Sequence, residues 1–315
     1  MADDPAPIRI GHLSTLYHTA FLLRGSDILG RRGLRADWKL FASGPDIISA
    51  MQQGGLDLGY IGLPPVIIGI GRGLPLACIA GGHVEGTVMV AGPDKKTLGE
   101  AGSMPAFLSQ FNGMAIGTPP RGSIHDVIVS ELLREHSIDG VEVRNYPWAD
   151  FLADALGSGE IACAAGTPAL AVTARRYGNA RLAVPPDRLW PFNPSYGIVV
   201  MRSLLEQGDL LLRFLAAHEE ACGRIRRDPA SCARTVAAIT GMVDEAFVRE
   251  AYRISPKYCA ALPPEYIAST MKFVPVLQEL GYIPRLVRAD EIFEPSLIAR
   301  VHPGAHHYND GIGLF

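Results

Sequence analysis

Short apolar runs rich in β-branched residues alternate with stretches whose apolar positions recur every three or four residues, the pattern of strands alternating with helices. Ile8–Ile10 predicts a first strand that stops at Gly11-His12, and a helix follows over about Ser14–Leu29. Trp38–Phe41 reads as a second strand. Ser43-Gly44-Pro45 then starts a helix with Ile47, Ile48 and Met51 on one face, proline in the first turn being preorganised for that start. Leu56–Ile61 is a third strand and Pro64–Gly71 a short helix or turn. Ala77–Ala80 and Thr87–Val90 are two further strands. Strand and helix in this order predict an α/β fold on a parallel sheet.

The pattern restarts with a strand at Met114–Gly117 and a helix over Ser123–Glu135, where Ser123 and Asp126 have capping-box spacing. Strands over Val141–Tyr146 and Ile161–Ala165 alternate with helices over Ala149–Leu156 and Leu170–Arg176. Leu182–Val184 and Gly197–Met201 complete the strands. Leu204–Arg227, Pro229–Thr240, Val243–Ile254 and Pro264–Leu280 read as amphipathic helices, the last kinked at Pro275. These helices are expected to pack back on the first sheet. The resulting molecule has two lobes, 1–92 plus 198–315 and 93–197, with chain crossings near Gly92-Pro93 and Asn193–Ser195.

Composition narrows the class. The chain has 315 residues, 48% hydrophobic and 19% charged, which excludes intrinsic disorder and suits about two domains. A net charge of −3 gives no general attraction to nucleic acid or to an anionic membrane. The apolar run Leu63–Ile70 is broken by Pro64, Pro65 and Gly69, far short of the ~20 residues of a membrane span. No leader is legible at Met1-Ala-Asp-Asp-Pro, which fits either a cytoplasmic protein or one whose leader has been removed. Of the five cysteines, Cys78 and Cys163 sit in apolar runs as small hydrophobes. Cys222 and Cys232 flank one helical hairpin, and spacing leaves their pairing open.

Ligands of α/β sheets bind beyond the carboxyl ends of strands. The loops there hold three polar helix starts, Ser14-Thr15, Ser43-Gly44 and Gly122-Ser123, where free backbone N–H groups attract anions. Arg121 adds a charge beside the third. Four of nine histidines fall in the same loops: His12, His18, His83 and His125. His18 and His125 each fit a capping or packing role as well. Tyr17, Tyr60, Tyr146, Trp148, Phe192 and Tyr196 are candidates for a stacking wall, Glu85 and Asp150 for hydrogen-bond acceptors, and Thr167 for a further polar loop contact. His306-His307 reads as surface or lobe packing. No H-E-x-x-H or close H-x-H occurs in these loops, so no metal or cofactor is predicted. The nucleophile elbow G-x-S-x-G and the phosphate loop G-x-x-x-x-G-K-[ST] are absent, and no catalytic residues are assigned.

The run FASGPDIISAMQQGGLDLGYIGLPPVIIGIGRGLP resembles the nitrate/sulfonate/taurine and pyrimidine-precursor group (NMT1/THI5-like) of ABC-transporter substrate-binding proteins. GTPPRGSIHDVIVSELLREH and YPWADFLADALGSGEIACAAGTPAL are similar to that group's second-lobe units, and the helical tail matches its C-terminal layout. The resemblance implies the periplasmic-binding-protein type II fold: two α/β lobes around a hinged cleft. It places binding loops at His12–Tyr17, Ser43-Gly44, Gly62–Pro64 (with Leu63), His83–Thr87, Gly122–His125 and Trp148-Ala149. It implies a monomer, periplasmic or extracytoplasmic, that hands a small ligand to an ABC permease and its ATPase and meets the membrane only through the permease. The loop histidines point to an aromatic, heterocyclic or chelated ligand rather than a simple aliphatic sulfonate. Two enzymatic groups share the fold. Here the C-C-C-x-C run of the pyrimidine synthases and the R-x-G-G signature of the sulfinate desulfinases are both missing, so a non-enzymatic binder is expected. The alternatives are another enzyme on this fold acting on a small aromatic or heterocyclic substrate, or a cytoplasmic ligand sensor.

Overall fold

Two five-stranded sheets carry the architecture of the computed structural model, which describes residues 6–313. The chain first lays down β1 (Ile8–Leu13), β2 (Ala36–Phe41), β3 (Leu58–Ile61) and β4 (Leu76–Val84). It then crosses to build β5 (Val88–Ala91), β6 (Ala115–Thr118), β7 (Glu142–Asn145), β8 (Cys163–Gly166) and β9 (Arg181–Val184). It returns as β10 (Pro194–Met201). The sheet orders are β2-β1-β3-β10-β4 and β7-β6-β8-β5-β9.

Neither sheet is all-parallel, as the strand–helix alternation suggests it should be. β1 pairs in parallel with β2 and β3, but β10 runs antiparallel between β3 and β4. β5 likewise lies antiparallel between β8 and β9. Each of these strands enters its sheet directly from a crossing segment, with no crossover helix to reverse its direction. Because β5 already belongs to the second sheet, the first crossing is at Glu85–Thr87 rather than at Gly92-Pro93.

The helices are α1 (Thr19–Arg24), α2 (Gly44–Gln52), α3 (Leu63–Gly71), α4 (Leu98–Ala101), α5 (Met104–Ser109), α6 (Ile124–Glu135), α7 (Phe151–Gly157) and α8 (Pro168–Tyr177). The tail adds α9 (Gly208–Arg227), α10 (Pro229–Thr240), α11 (Glu245–Ile254), α12 (Pro264–Glu279), α13 (Ala289–Ile292) and α14 (Ser296–Val301). The helix expected over Ser14–Leu29 contracts to the six residues of α1. His18 is extended at its start and Gly25 ends it, which leaves 14–18 as an irregular loop. The short helices α4 and α5, announced only by the caps Thr97 and Ser103, and α13 and α14 were not anticipated from sequence periodicity. No helix among the described residues is long and apolar enough to cross a membrane.

The tail helices do pack on the first sheet. Phe214, Leu215 and Cys222 of α9 and Val248 and Tyr252 of α11 join Ile10, Leu58 and Ile198 in one buried cluster. On the other face, α3, α6 and α12 share a core that runs continuously into the second sheet through Val66, Ile67, Val127, Ile128 and Phe273. Each such side chain contributes roughly 1.5–3 kcal/mol on full burial. All five cysteines are free and buried, so Cys222 and Cys232 form no disulfide. Cys222 turns into the core towards the Gly82 carbonyl.

Candidate functional site

Four helices of eight or more residues start at one place between the sheets. Ser43 and Gly44 begin α2, Gly62 caps α3, Ser123 caps α6 and Thr167 caps α8. All of them line a cavity of about 50 Å³. The sequence dictates this locally. Proline in the first turn follows Gly44, Gly62 and Thr167, and small or hydroxyl residues precede it, so the chain turns sharply from strand into helix. Ser43 Oγ and Ser123 Oγ each accept the N–H three residues on, at 3.3 Å. Thr167 makes no such bond and keeps its hydroxyl for the cavity.

Asp126 departs from the expected capping box. Its carboxylate accepts the Gly122 N–H at 2.9 Å, the Tyr282 hydroxyl at 2.6 Å and the Asn145 amide at 2.8 Å, and so holds the turn before α6 in shape. That turn needs Gly122 at φ +79°.

Ser14, Thr15 and Tyr17 from the irregular loop complete the polar lining, with His125, Ser195 and His18. No Lys, Arg, Asp or Glu among the described residues lines this cavity. A second chamber of about 100 Å³ shares Ser14, Thr15, Ala149 and Thr167 with the first and extends to Asp150 and Thr173. Crowding at this mouth raises the Asp150 carboxyl above its ordinary value, while Ser14 and Trp148 oppose the shift.

Nine of the predicted site residues therefore converge: Ser14, Thr15, Tyr17, Ser43, Gly44, Gly62, Ser123, His125 and Thr167. The others stand elsewhere. His12 is on the far face of β1, with Nδ1 bonded to the Leu13 carbonyl at 2.9 Å and Nε2 against Arg24 at 3.1 Å. Leu63 and Pro64 are buried in the α3 core, and Pro65 reaches the cavity in their place. His83 lies one layer below, held by the Ser255 carbonyl at 2.8 Å and packed on Tyr17. Tyr196 belongs to the same layer and donates to Thr19. Glu85 pairs with Lys257 at 2.6 Å and accepts the Phe192 N–H, so it braces the crossing. Thr87 backs the site by bonding His125 Nδ1 at 3.1 Å. Arg121 and Gly122 face an outer groove, where the guanidinium stacks on Tyr282. Trp148 donates to Ser14 Oγ at 3.3 Å and ties the second lobe to the first at the rim.

Ala42, Pro119, Ile124 and Ser195 also line the cavity; by sequence they lie in strand-end loops but are not singled out as site residues, and His18, which also fits a packing role, proves to be a wall residue. His18 is the most informative of these. Its Nδ1 is buried without a hydrogen-bond partner. Burial holds the ring well below its ordinary value and hence neutral, with His12, His83 and His218 nearby adding to the effect. Burial alone pushes His125 down to about 4. The cavity is thus walled by hydroxyls, neutral imidazoles and helix N-termini, which together offer many donors and no formal charge. Such a surface is suited to a small anion.

Contacts flank the cavity on both sides. Arg176 of α8 binds Asp244 at 3.1 Å and Glu250 at 2.9 Å, and Arg134 of α6 binds Glu279 at 3.0 Å. These ion pairs join α8 to α11 and α6 to α12 on either side of the site.

A family description, the NMT1-like family, matches residues 2–241. No curated protein matches the chain by sequence. Among solved structures, the chain is similar to the ligand-binding component of an ABC-type import system from Staphylococcus aureus, with zinc bound. The TM-score is 0.80 at 15% identity, over 95% of this chain and 100% of that one. It is also similar to the alkanesulfonate-binding protein of Xanthomonas axonopodis pv. citri bound to MOPS, with TM-score 0.76, 18% identity, and coverage of 93% and 100%. The periplasmic nitrate-binding protein of Synechocystis PCC 6803 gives TM-score 0.75 at 12% identity, over 94% and 88%. The fold is that of the type II periplasmic binding proteins.

Proposed function

The chain belongs to the NMT1-like family, and from that premise we propose that it is a solute-binding protein which captures a small organic anion between its lobes for ABC-type import. One observation carries this reading: four helix N-termini and His18, whose Nδ1 is buried without a partner, line one cavity that no charged side chain among the described residues lines. Helix ends each favour an anion by roughly 0.3–1 kcal/mol, more where water is excluded. A fixed guanidinium is not needed. Related folds whose names state sulfonate or nitrate binding support an oxyanion head group. The adjoining chamber gives a short organic tail somewhere to lie.

Function then reduces to closure. Ser43 and Gly62 belong to the first lobe and Ser123 and Thr167 to the second, so an anion touching all four helix starts favours the closed state by its differential affinity. The partners implied are the permease and ATPase of an importer, at an extracytoplasmic surface. The cysteines are buried in the core and none lines the cavity, which supports a binder rather than a nucleophilic enzyme.

Calorimetric titration with nitrate and with alkanesulfonates of increasing chain length tests the proposal. One-to-one binding of at least one anion is expected, weakened about fivefold by Trp148→Ala through loss of roughly 1 kcal/mol of rim hydrogen bonding. The melting temperature of the free variant should stay near that of the parent. No saturable heat with any oxyanion would overturn it.

A further inference from the structure

Away from the cleft, the C-terminal segment meets the helical layer through a cluster of unlike ligating groups. Glu219 lies on α9, Cys259 in the loop between α11 and α12, and His302 just after α14. One ligand atom from each lies within 4.8 Å of the others. We propose that Glu219, Cys259 and His302 form a binding site for a thiophilic divalent cation of the zinc class, which staples the C-terminal segment to α9.

The donor set fits that chemistry. Sulfur, imidazole and carboxylate are the zinc ligands, and a carboxylate with a thiolate balances the charge of a dication. The spacing is close to what is required. Tetrahedral zinc, with bonds of about 2.0–2.3 Å, sets neighbouring ligand atoms roughly 3.3–3.6 Å apart. His302 Nδ1 stands 3.3 Å from Glu219 Oε1, within that range. Nε2 also lies 3.0 Å from the Ala305 carbonyl, which can only accept. That bond places the ring hydrogen on Nε2 and leaves Nδ1, the nitrogen facing Glu219, as the ligand.

An outer layer of partners already orients each ligand, as metal sites require. Cys259 Sγ accepts the N–H of Ala261 at 3.5 Å and that of His307 at 3.3 Å. Glu219 Oε2 accepts the Ala260 N–H at 3.2 Å, and Arg226 steadies Oε1 at 3.2 Å. The residue before Cys259 bridges to His83, and the Cys259 N–H donates to the Gly82 carbonyl at 3.3 Å. A cation here would therefore also fasten the segment that backs the floor of the cleft.

The test uses the full chain after dialysis against a chelator. Titration with Co²⁺ should give one equivalent of binding with a near-ultraviolet thiolate-to-cobalt band, and Zn²⁺ should displace it. Cys259→Ser should abolish the band. Zinc affinity, read by competition with a chromophoric chelator, should fall in Cys259→Ser and His302→Gln by more than the roughly 10–100-fold that outer-layer changes cost. His136→Ala, at the end of α6, should bind as the parent does. Absence of the cobalt band, or zinc affinity unchanged in His302→Gln, overturns the site. If Cys259→Ser fails to fold, the zinc competition with His302→Gln decides.

Discussion

The two walls of the cleft are built from different material. On the first-sheet side, Tyr17, His18, Tyr60, His83 and Tyr196 form a continuous layer of buried rings. His18 lies 4.2 Å from Tyr196 and Tyr17 lies 4.5 Å from His83, ring centre to ring centre. His218 continues the layer, bonded to Thr19 at 3.0 Å and to the Gly81 carbonyl at 2.8 Å. On the second-sheet side the wall is a set of helix first turns, Ser123 to His125 and Thr167, whose polar groups project from backbone. The ring layer is fixed by packing and resists change. The first turns hold donors that exchange internal bonds, or none at all, for a ligand. Stability therefore rests chiefly on the ring layer of the first wall, while recognition draws on helix starts from both walls and on His18 at the edge of that layer.

The comparison breaks most readily at Gly82. A methyl group there would sit inside the Tyr196 ring, which is fully buried and has no room to yield. Gly82→Ala should lose more than the usual ~1–3 kcal/mol of overpacking, measured by urea denaturation. Gly82 has no part in lining the cavity, so what remains folded should bind normally.

Acid probes the ring layer next. Burial holds His83 at about 3 and His218 at about 4, with hydrogen bonds to the Ser255 and Gly81 carbonyls opposing the shift. Against an ordinary value of 6.5, the unfolded chain takes up protons first as pH falls. Stability is therefore complete above about 6.5 and drains away towards 3–4. Between pH 7 and 5.5 each of these rings should cost roughly 1 kcal/mol, and denaturation curves at the two pH values should show it. A flat profile would mean that the rings are hydrated.

The gripping wall should respond more gently. Ser123→Ala removes the cap of α6 and should cost about 0.5–2 kcal/mol of stability together with a loss of anion affinity. Thr167→Val sharpens the contrast further, because this hydroxyl caps nothing. It should weaken binding by roughly 1 kcal/mol, about fivefold, in calorimetry, with stability changed by less than about 0.5 kcal/mol.

Much of this was legible in residue order. The strand-end loops, the Ser43-Gly44-Pro45 helix start and the Ser123 cap can be read directly, because turn and capping chemistry is local. The insertion of β5 and β10 as antiparallel strands cannot, since direction within a sheet depends on partners far away in sequence. The histidines show the same limit. His12 and His18 lie six residues apart, yet the pleat of β1 turns the first to the far face, buried beside Arg24, while the irregular turn puts the second on the cavity wall. Ser195 lies in a ligand-facing segment by sequence, but that its side chain lines the cavity follows only from the pairing of the returning strand β10. The Glu219, Cys259 and His302 cluster joins three segments that no local pattern connects.

The most direct measurement is a paired titration of methanesulfonate and methanesulfonamide, nearly equal in shape and different in charge. If donors and helix ends grip an anion, the sulfonate binds one-to-one and the neutral sulfonamide at least about tenfold more weakly, a difference of about 1.4 kcal/mol. Equal binding of the two, or binding of the sulfonamide alone, would contradict the anion site.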